Sequence, residues 1–340
     1  MKLKHWAGIA SATAMIASFS AQAADVTLRF AHPWPAGSAI HNGLEEWSQS
    51  LNQASDGRIE VQLFPSQTLA KAAKSYDAVI GRIADVTATV QGYTANRFPL
   101  TQVIELPGIV ETSAQGSCIL QKLYDQGALA DEYSDTHVLF VYTNGPGHLH
   151  TRKQEVKKPE DLAGMRIRRP TTLIGELFEE LGAQSAGMPA PEIYQSLQRN
   201  VIDGVAISWD GAKVFRLNEL TRHHTELNLY SLSFVVTMNK DVYSQLPVDL
   251  KTVVDTHSGE KWSQHMAAVF DDLDKQSRSE AQAKGSKIVE LTDELRSAWQ
   301  PALQKVTEKY LDALESQGLP ARKVYQHVQI LNEQCTPIEG

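Results

Sequence analysis

The sequence predicts an α/β protein built as two lobes of similar design, with one long helix reaching across both. Three observations carry that expectation. Val26 to Leu63 reads strand, helix, strand, a βαβ unit that favours a largely parallel sheet. Two stretches echo each other at a constant offset: Tyr76-Asp77-Ala78-Val79 leads to Ile83-Ala84-Asp85, and Tyr194-Gln195-Ser196-Leu197 leads to Val201-Ile202-Asp203. From Leu250 to Lys284 there is no proline, and apolar residues recur at three- and four-residue steps. That pattern predicts a continuous amphipathic helix of about 50 Å at ~1.5 Å per residue, longer than one lobe needs. A length of 340 residues fits two domains better than one, at roughly 100–200 residues each.

In chain order, residues 1–23 read as an export signal. Met1 to Lys4 holds two lysines and no acid, Trp6 to Phe19 is small and apolar, and Ala21-Gln22-Ala23 presents a cleavage tripeptide. The apolar run is shorter than the roughly 20 residues of a bilayer span, so cleavage near Ala23 and a product not embedded in the membrane are expected. Val26 to Phe30 and Arg58 to Leu63 alternate as strands, separated by a helix over Ile40 to Gln53 that ends at Ala54-Ser55-Asp56-Gly57. A strand over Asp85 to Val90 follows the first echo. Asp135 to Tyr142 contains Val138-Leu139-Phe140-Val141-Tyr142, a strand apolar on both faces. Further strands are expected over Met165 to Arg169, Val201 to Ser208, Phe234 to Met238 and Ser286 to Leu291.

Composition excludes several classes. With 42% hydrophobic and 21% charged residues the chain can bury a core. Lys+Arg is 32 against Asp+Glu 40, a formal charge of −8, which argues against nucleic acid as a partner. Cys118 and Cys335 are the only cysteines, and in an exported chain they are expected to pair and tether the tail, 331–340, to the body. A catalytic cysteine is the alternative, but no partner histidine is suggested by context.

An enzyme motif is absent: there is no G-x-S-x-G, H-E-x-x-H, Walker loop or G-x-G-x-x-G opening a helix. His148-Leu149-His150 puts two imidazoles on one strand face, with His32, His41, His223 and His224 as further candidate ligands. Eleven histidines in 340 residues produce such pairs by chance, and the bland reading is preferred. An exported metal-dependent hydrolase using His148, His150 and Asp210 remains the rival from another class. Neither a resident metal nor a cofactor is expected.

Lys158-Pro159-Glu160-Asp161-Leu162-Ala163-Gly164-Met165-Arg166-Ile167-Arg168-Arg169-Pro170 carries the most information. Pro159 starts a short helix, Gly164 ends it, and the following strand stops at Pro170. Arg166 and Arg168 share one strand face, at the carboxyl edge where open α/β sheets bind ligands. An arginine there meets a carboxylate in a fork. By the same strand-end rule, Trp34, Gln91, Tyr93 and Trp209 are candidates for the ligand wall.

The pattern P-E-D-L-x-G-[ML]-[RK]-I-R-x-P resembles the DctP-like family, the extracytoplasmic solute-binding subunits of tripartite ATP-independent periplasmic (TRAP) transporters. Supporting matches are Glu192 to Gln198, Val201-Ile202-Asp203-Gly204, Gly57 to Val61 with Phe64-Pro65-Ser66-Gln67-Thr68-Leu69, Leu106-Pro107 and Met238-Asn239-Lys240. The likeness runs from about Val26 to beyond Leu314.

That resemblance implies a periplasmic-binding-protein fold of the TRAP type, with a hinge, that closes on a small organic acid and serves a membrane permease. It also implies a monomer and no enzymatic activity. Lobe I is expected over 24–145 plus about 234–273, and lobe II over 146–233 plus about 274–330. Arg168 takes the position that pairs with the ligand carboxylate, while Arg166 is outward or structural. His148 stands where relatives often carry a second arginine, which favours a monocarboxylate and makes His148 a second donor. Ala190-Pro191 stands where relatives stack an aromatic. Asn144, near the lobe crossover, is a hinge or ligand residue. A binding protein for an ABC importer shares the lobed plan and is the remaining alternative.

Overall fold

The computed structural model describes residues 24–290 and 292–336, so the export signal expected over 1–23 lies outside the described residues. β1 (Val26–Ala31) and β2 (Ile59–Phe64) pair in parallel, joined by α1 (Ala39–Ala54). Ser38 caps α1 by accepting the His41 N–H at 3.2 Å, and Ile40, Leu44, Trp47 and Leu51 face the core. α2 (Ser75–Ile80), β3 (Val86–Val90), α3 (Ser113–Asp125) and β4 (Thr136–Thr143) complete the first half. The chain then enters β5 (His148–Thr151), β6 (Arg166–Arg169), α4 (Thr172–Glu180), β7 (Gln184–Gly187), α5 (Ile193–Gln198), β8 (Gly204–Ile207), α6 (Trp209–Val214) and β9 (His223–Thr225). It returns through β10 (Ser233–Asn239), α7 (Lys240–Gln245), α8 (Val248–Thr256) and α9 (Glu260–Ala283), and ends with β11 (Lys287–Val289), α10 (Asp293–Ser316) and α11 (Ala321–Cys335). Among the described residues, no helix is long and apolar enough to cross a membrane.

Two sheets result, one ordered β2-β1-β3-β10-β4 and the other β7-β6-β8-β5-β9-β11. The largely parallel sheet expected from the first βαβ unit is corrected: both are mixed. β10 is antiparallel to β3 and β4, and β5 is antiparallel to β8 and β9. Each sheet takes this strand from chain that has just left the other half. The βαβ pattern could not reveal it, because the pairing partners lie far apart in sequence.

The internal echo is a repeated corner. Arg29 donates from Nε and Nη2 to the Asp85 carboxylate at 2.9 and 3.0 Å, and its N–H donates to Asp85 Oδ2 at 2.9 Å. Arg166 does the same to Asp203 at 3.0, 2.7 and 2.9 Å. Arg82 and Asn200, at matching places before the two aspartates, both adopt positive φ (57° and 58°). The fork thus fixes the same helix-to-strand turn in both lobes, and it explains why Arg166 is structural.

The single long helix is also corrected. Gly259 breaks it at φ 76°, separating α8 from a 24-residue α9 of about 36 Å. A left-handed residue costs glycine little, and the break lets Gly259 N donate to Leu139 O on β4 at 2.7 Å. β4 is an edge strand, and its outer groups are answered by helices. Ser263 Oγ of α9 donates to Val141 O at 2.6 Å, Gln121 accepts Val141 N–H at 3.0 Å, and Ser117 accepts Thr143 N–H at 2.9 Å. α9 packs on α1, α3 and β4 of the first half and on α6 of the second, so it does span both lobes.

α11 packs on α3, and Cys118 and Cys335 are disulfide-bonded with Cα atoms 5.8 Å apart. Residues 321–335 are thereby held against α3 of the first half.

Candidate ligand-binding site

The segment Asn144-Gly145-Pro146-Gly147 carries the chain from β4 to β5, and residues 226–232 bring it back from β9 to β10. The two crossings run side by side. Gly147 N donates to Tyr230 O at 2.6 Å, Leu229 N to Gly147 O at 2.9 Å, and Asn144 N to Leu232 O at 3.3 Å. The Asn144 side chain knits them to β8: Nδ2 donates to Ser208 Oγ at 2.9 Å, while Oδ1 accepts Leu232 N–H at 2.7 Å. Gly145 and Gly147 are needed for close approach, since a Cβ would collide with the Asp274 carboxylate or the Tyr230 ring.

Against this crossing lies a small cavity of about 40 Å³, lined from both halves. Trp34, Phe234 and Phe270 form one wall, with ring centroids 5.5 to 6.4 Å apart. Ile207, Phe215, Ala190 and Pro191 come from the second half. Small Ala190-Pro191 thus occupies the wall without filling it, while the aromatic surface comes from the opposite side.

Arg168 is the cation of this space. It reaches in from β6, is only 1% exposed, and has no carboxylate partner among the described residues. Its Nε donates to Met188 O at 3.0 Å, Nη1 to Ala206 O at 2.9 Å, and Nη2 to Tyr93 Oη at 3.3 Å. All three acceptors are neutral, so the buried charge is held rigidly and left uncompensated. Tyr93 Oη also accepts Ala190 N–H at 3.0 Å. Its own hydroxyl hydrogen is therefore free to donate to an anion beside Arg168. Because Tyr93 follows β3, this contact ties the first half to the second across the cavity.

Four of the expected residues, Trp34, Tyr93, Asn144 and Arg168, come together here; three do not. Gln91 is buried and donates to Tyr133 Oη, inside the first lobe. His148 lies on β5, between β8 and β9 in the sheet, and its Nδ1 accepts Leu227 N–H at 3.4 Å. Trp209 turns away as well: its Nε1 donates to Glu226 at 3.0 Å, and its ring meets His150 edge-on and His224 at a tilt, both with centroids 4.7 Å apart. A strand end places a residue near the crevice but does not decide which way its side chain points. The residues that the sequence reading missed, Phe234 and Phe270, had the periodicity of core positions. Asp210, named there only for the hydrolase rival, also lines the cavity.

The histidines form a core cluster in the second lobe. His150 Nδ1 lies 2.7 Å from His224 Nδ1, and its Nε2 lies 3.0 Å from Ile207 O. Burial pushes the pKa values of His148 and His150 down to about 3 and that of His224 to about 2, so all three are neutral. This geometry does not favour the hydrolase alternative. Asp210 faces Asp274 rather than the imidazoles, and among the described residues no three His, Cys, Asp or Glu side chains are grouped to hold a metal.

A buried, anion-seeking guanidinium facing an apolar cavity, between two lobes that the chain crosses repeatedly, defines a solute-binding protein. The chain belongs to the DctP family, bacterial extracellular solute-binding protein family 7, whose model matches residues 30–313. Solved structures agree over nearly the whole chain. A TRAP solute-binding protein from a marine metagenome, specific for aromatic acid ligands and bound to metahydroxyphenylacetate, is 29% identical, with a TM-score of 0.88 over 92% of this chain and 100% of that one. One from Rhodoferax ferrireducens T118 with copurified benzoate is 30% identical, with a TM-score of 0.87 over 91% and 98%. One from Bordetella bronchiseptica with bound mandelate is 27% identical, with a TM-score of 0.84 over 91% and 99%. The likeness is to TRAP proteins and replaces the ABC-importer alternative.

Proposed function

We propose that this protein captures an aromatic monocarboxylate between its lobes and presents the closed form to the membrane permease of a TRAP transporter. The observation that carries this reading is Arg168, a buried cation without a counter-ion at the end of a cavity walled by Trp34, Phe234 and Phe270. The benzoate, hydroxyphenylacetate and mandelate held by the three relatives support an aromatic acid over a sugar acid. Arg168 forks the carboxylate, Tyr93 donates the further hydrogen bond once expected of His148, and Asn144 sets the hinge. Lobe I comprises 24–145 with 234–273 and 321–335, and lobe II comprises 146–233 with 274–320. The protein acts in the periplasm as a monomer after cleavage near Ala23. Ligand that touches both lobes favours closure by its differential affinity for the closed state.

Isothermal titration with benzoate, mandelate, succinate and glucuronate tests this reading. Benzoate or mandelate is expected to bind. Arg168→Lys, which cannot reproduce the fork, should weaken that binding by roughly 30-fold or more. Preference for succinate or glucuronate, or an affinity indifferent to Arg168→Lys, overturns it.

A further inference from the structure

Helix α9, which packs on both halves, carries two acids one turn apart, and each is bonded to a different half. Asp271 accepts the backbone N–H groups of Ser113 and Ala114, at the start of α3, at 2.7 and 3.0 Å. Asp274 accepts the backbone N–H of Asp210, the second residue of α6. The helix is thereby clamped to both halves at the level where the chain crosses from β4 to β5. Gly145 of that crossing lies so close to Asp274 Oδ2 that a Cβ could not fit.

The second clamp sets two carboxyl groups against each other. The Asp210 side chain meets those of Ser208, Asp274 and Asn144, so the two acids lie within hydrogen-bonding reach. Ionised carboxylates only accept, and a hydrogen bond between two of them needs one shared proton. Asp210 is 3% exposed and Asp274 partly buried. Burial raises both pKa values above the usual carboxylate range, and the charge of Asp271 adds to the effect. The cations on these two helices are engaged elsewhere: Lys213 pairs with Glu280, Arg278 with Glu226 and Glu290, and Lys275 acts on Asp271. Tyr142 of β4 and Tyr230 of the return crossing face Asp210 as neutral phenols, their pKa values raised chiefly by burial. Arg168 lines the same cavity from β6.

Asp210 lines the cavity between the halves. Ligand enters when the lobes part, and that movement brings water to the Asp210 carboxyl. A hydrated aspartic acid ionises near pH 4. Closure removes the water again, and the cavity then holds an anion beside Arg168. Two ionised carboxylates at its edge would repel that anion, and one proton between them removes half of their charge.

We propose that Asp210 and Asp274 share one proton, taken from solvent, when the lobes are closed and return it when they part, so that capture of an organic anion is coupled to proton uptake at the hinge. The inference rests on the aromatic-acid reading above and adds a regulating ion to it.

Calorimetric titration with benzoate and with mandelate, repeated in phosphate and in Tris, tests it. The two buffers differ in ionisation enthalpy, so the difference in measured heat counts protons, and neither acid titrates near pH 7. Net uptake of about 0.3 to 1 proton per ligand is expected, with affinity falling roughly 3-fold or more from pH 6 to pH 8. Asp274→Asn keeps an acceptor for the Asp210 N–H and donates from Nδ2 where the shared proton stood. It should still bind, with no net uptake and with an affinity independent of pH over that range. Asp210→Asn should do the same if the first variant does not fold. Binding without proton uptake in the unaltered protein, or with proton release, overturns the inference while the aromatic-acid reading stands. So does uptake that survives both substitutions, which would assign the proton to another buried acid such as Glu105 beside Ser233. Failure of both acids to bind overturns the reading and the inference together.

Discussion

Tyr93 shows how one hydroxyl can serve both recognition and closure. It accepts from Arg168 and from Ala190 N–H while retaining a hydrogen to donate. Tyr93→Phe removes all three interactions but keeps the ring. The expected loss is about 1–2 kcal/mol, roughly 10-fold in Kd for benzoate by titration calorimetry, and an unchanged Kd would remove Tyr93 from the site. Arg168 was legible in the sequence because the motif around Pro159 and Gly164 fixed the strand and its phase. Gln91, His148 and Trp209 were not, because each sits beside a strand end yet finds a stronger partner inside its own lobe: Tyr133, Leu227 N–H and Glu226 respectively. Phe234 and Phe270 were hidden for the opposite reason. A ring facing a ligand cavity and a ring facing a core have the same apolar periodicity.

At the scale of elements, the repeated aspartate corner was readable because its helix and turn are local in sequence. Gly259 lies inside the apolar periodicity that predicts one continuous helix. Its role depends on Leu139, more than a hundred residues earlier, whose carbonyl it answers. The tether of the chain's tail to the body was anticipated from two cysteines alone. Closing the 217-residue separation between them is worth at most about 5 kcal/mol in the loop-entropy model. A Cys118→Ser, Cys335→Ser double variant should unfold at clearly lower denaturant concentration while still binding benzoate, since neither cysteine lines the cavity. An unfolding midpoint that does not move would show that the bridge adds nothing to packing already present between the helices.

The whole molecule carries an acid-sensitive charge balance. Burial pushes the pKa values of His32, His148 and His150 down to about 3 and that of His224 to about 2. Below the ordinary histidine pKa of about 6.5, the unfolded chain takes up protons that these sites refuse. Their contribution is full above that pH and is lost as pH falls toward 3. Glu105 and Asp210, pushed up to about 7 by burial, act in the opposite sense: their contribution is present below about 4 and lost as pH rises through 7. The two sets oppose each other between about pH 4 and 6.5, and below that range the histidine effect stands alone. The melting temperature should therefore fall as pH drops from about 6.5, the four histidines outweighing the two acids, and fall more steeply from about pH 4 to pH 3. A curve that stays flat down to pH 3 in differential scanning calorimetry would contradict this account of the imidazole cluster.

The exchange of β5 and β10 has a consequence for biogenesis. A fragment ending at Asn144 has no strand to seat between β3 and β4, and the remainder has no sheet to receive β10. Neither portion can mature alone, so commitment to the native state waits until most of the polypeptide has emerged. If residues 1–23 direct export as proposed, a precursor delayed in this way would still be extended when it reached the secretion pore.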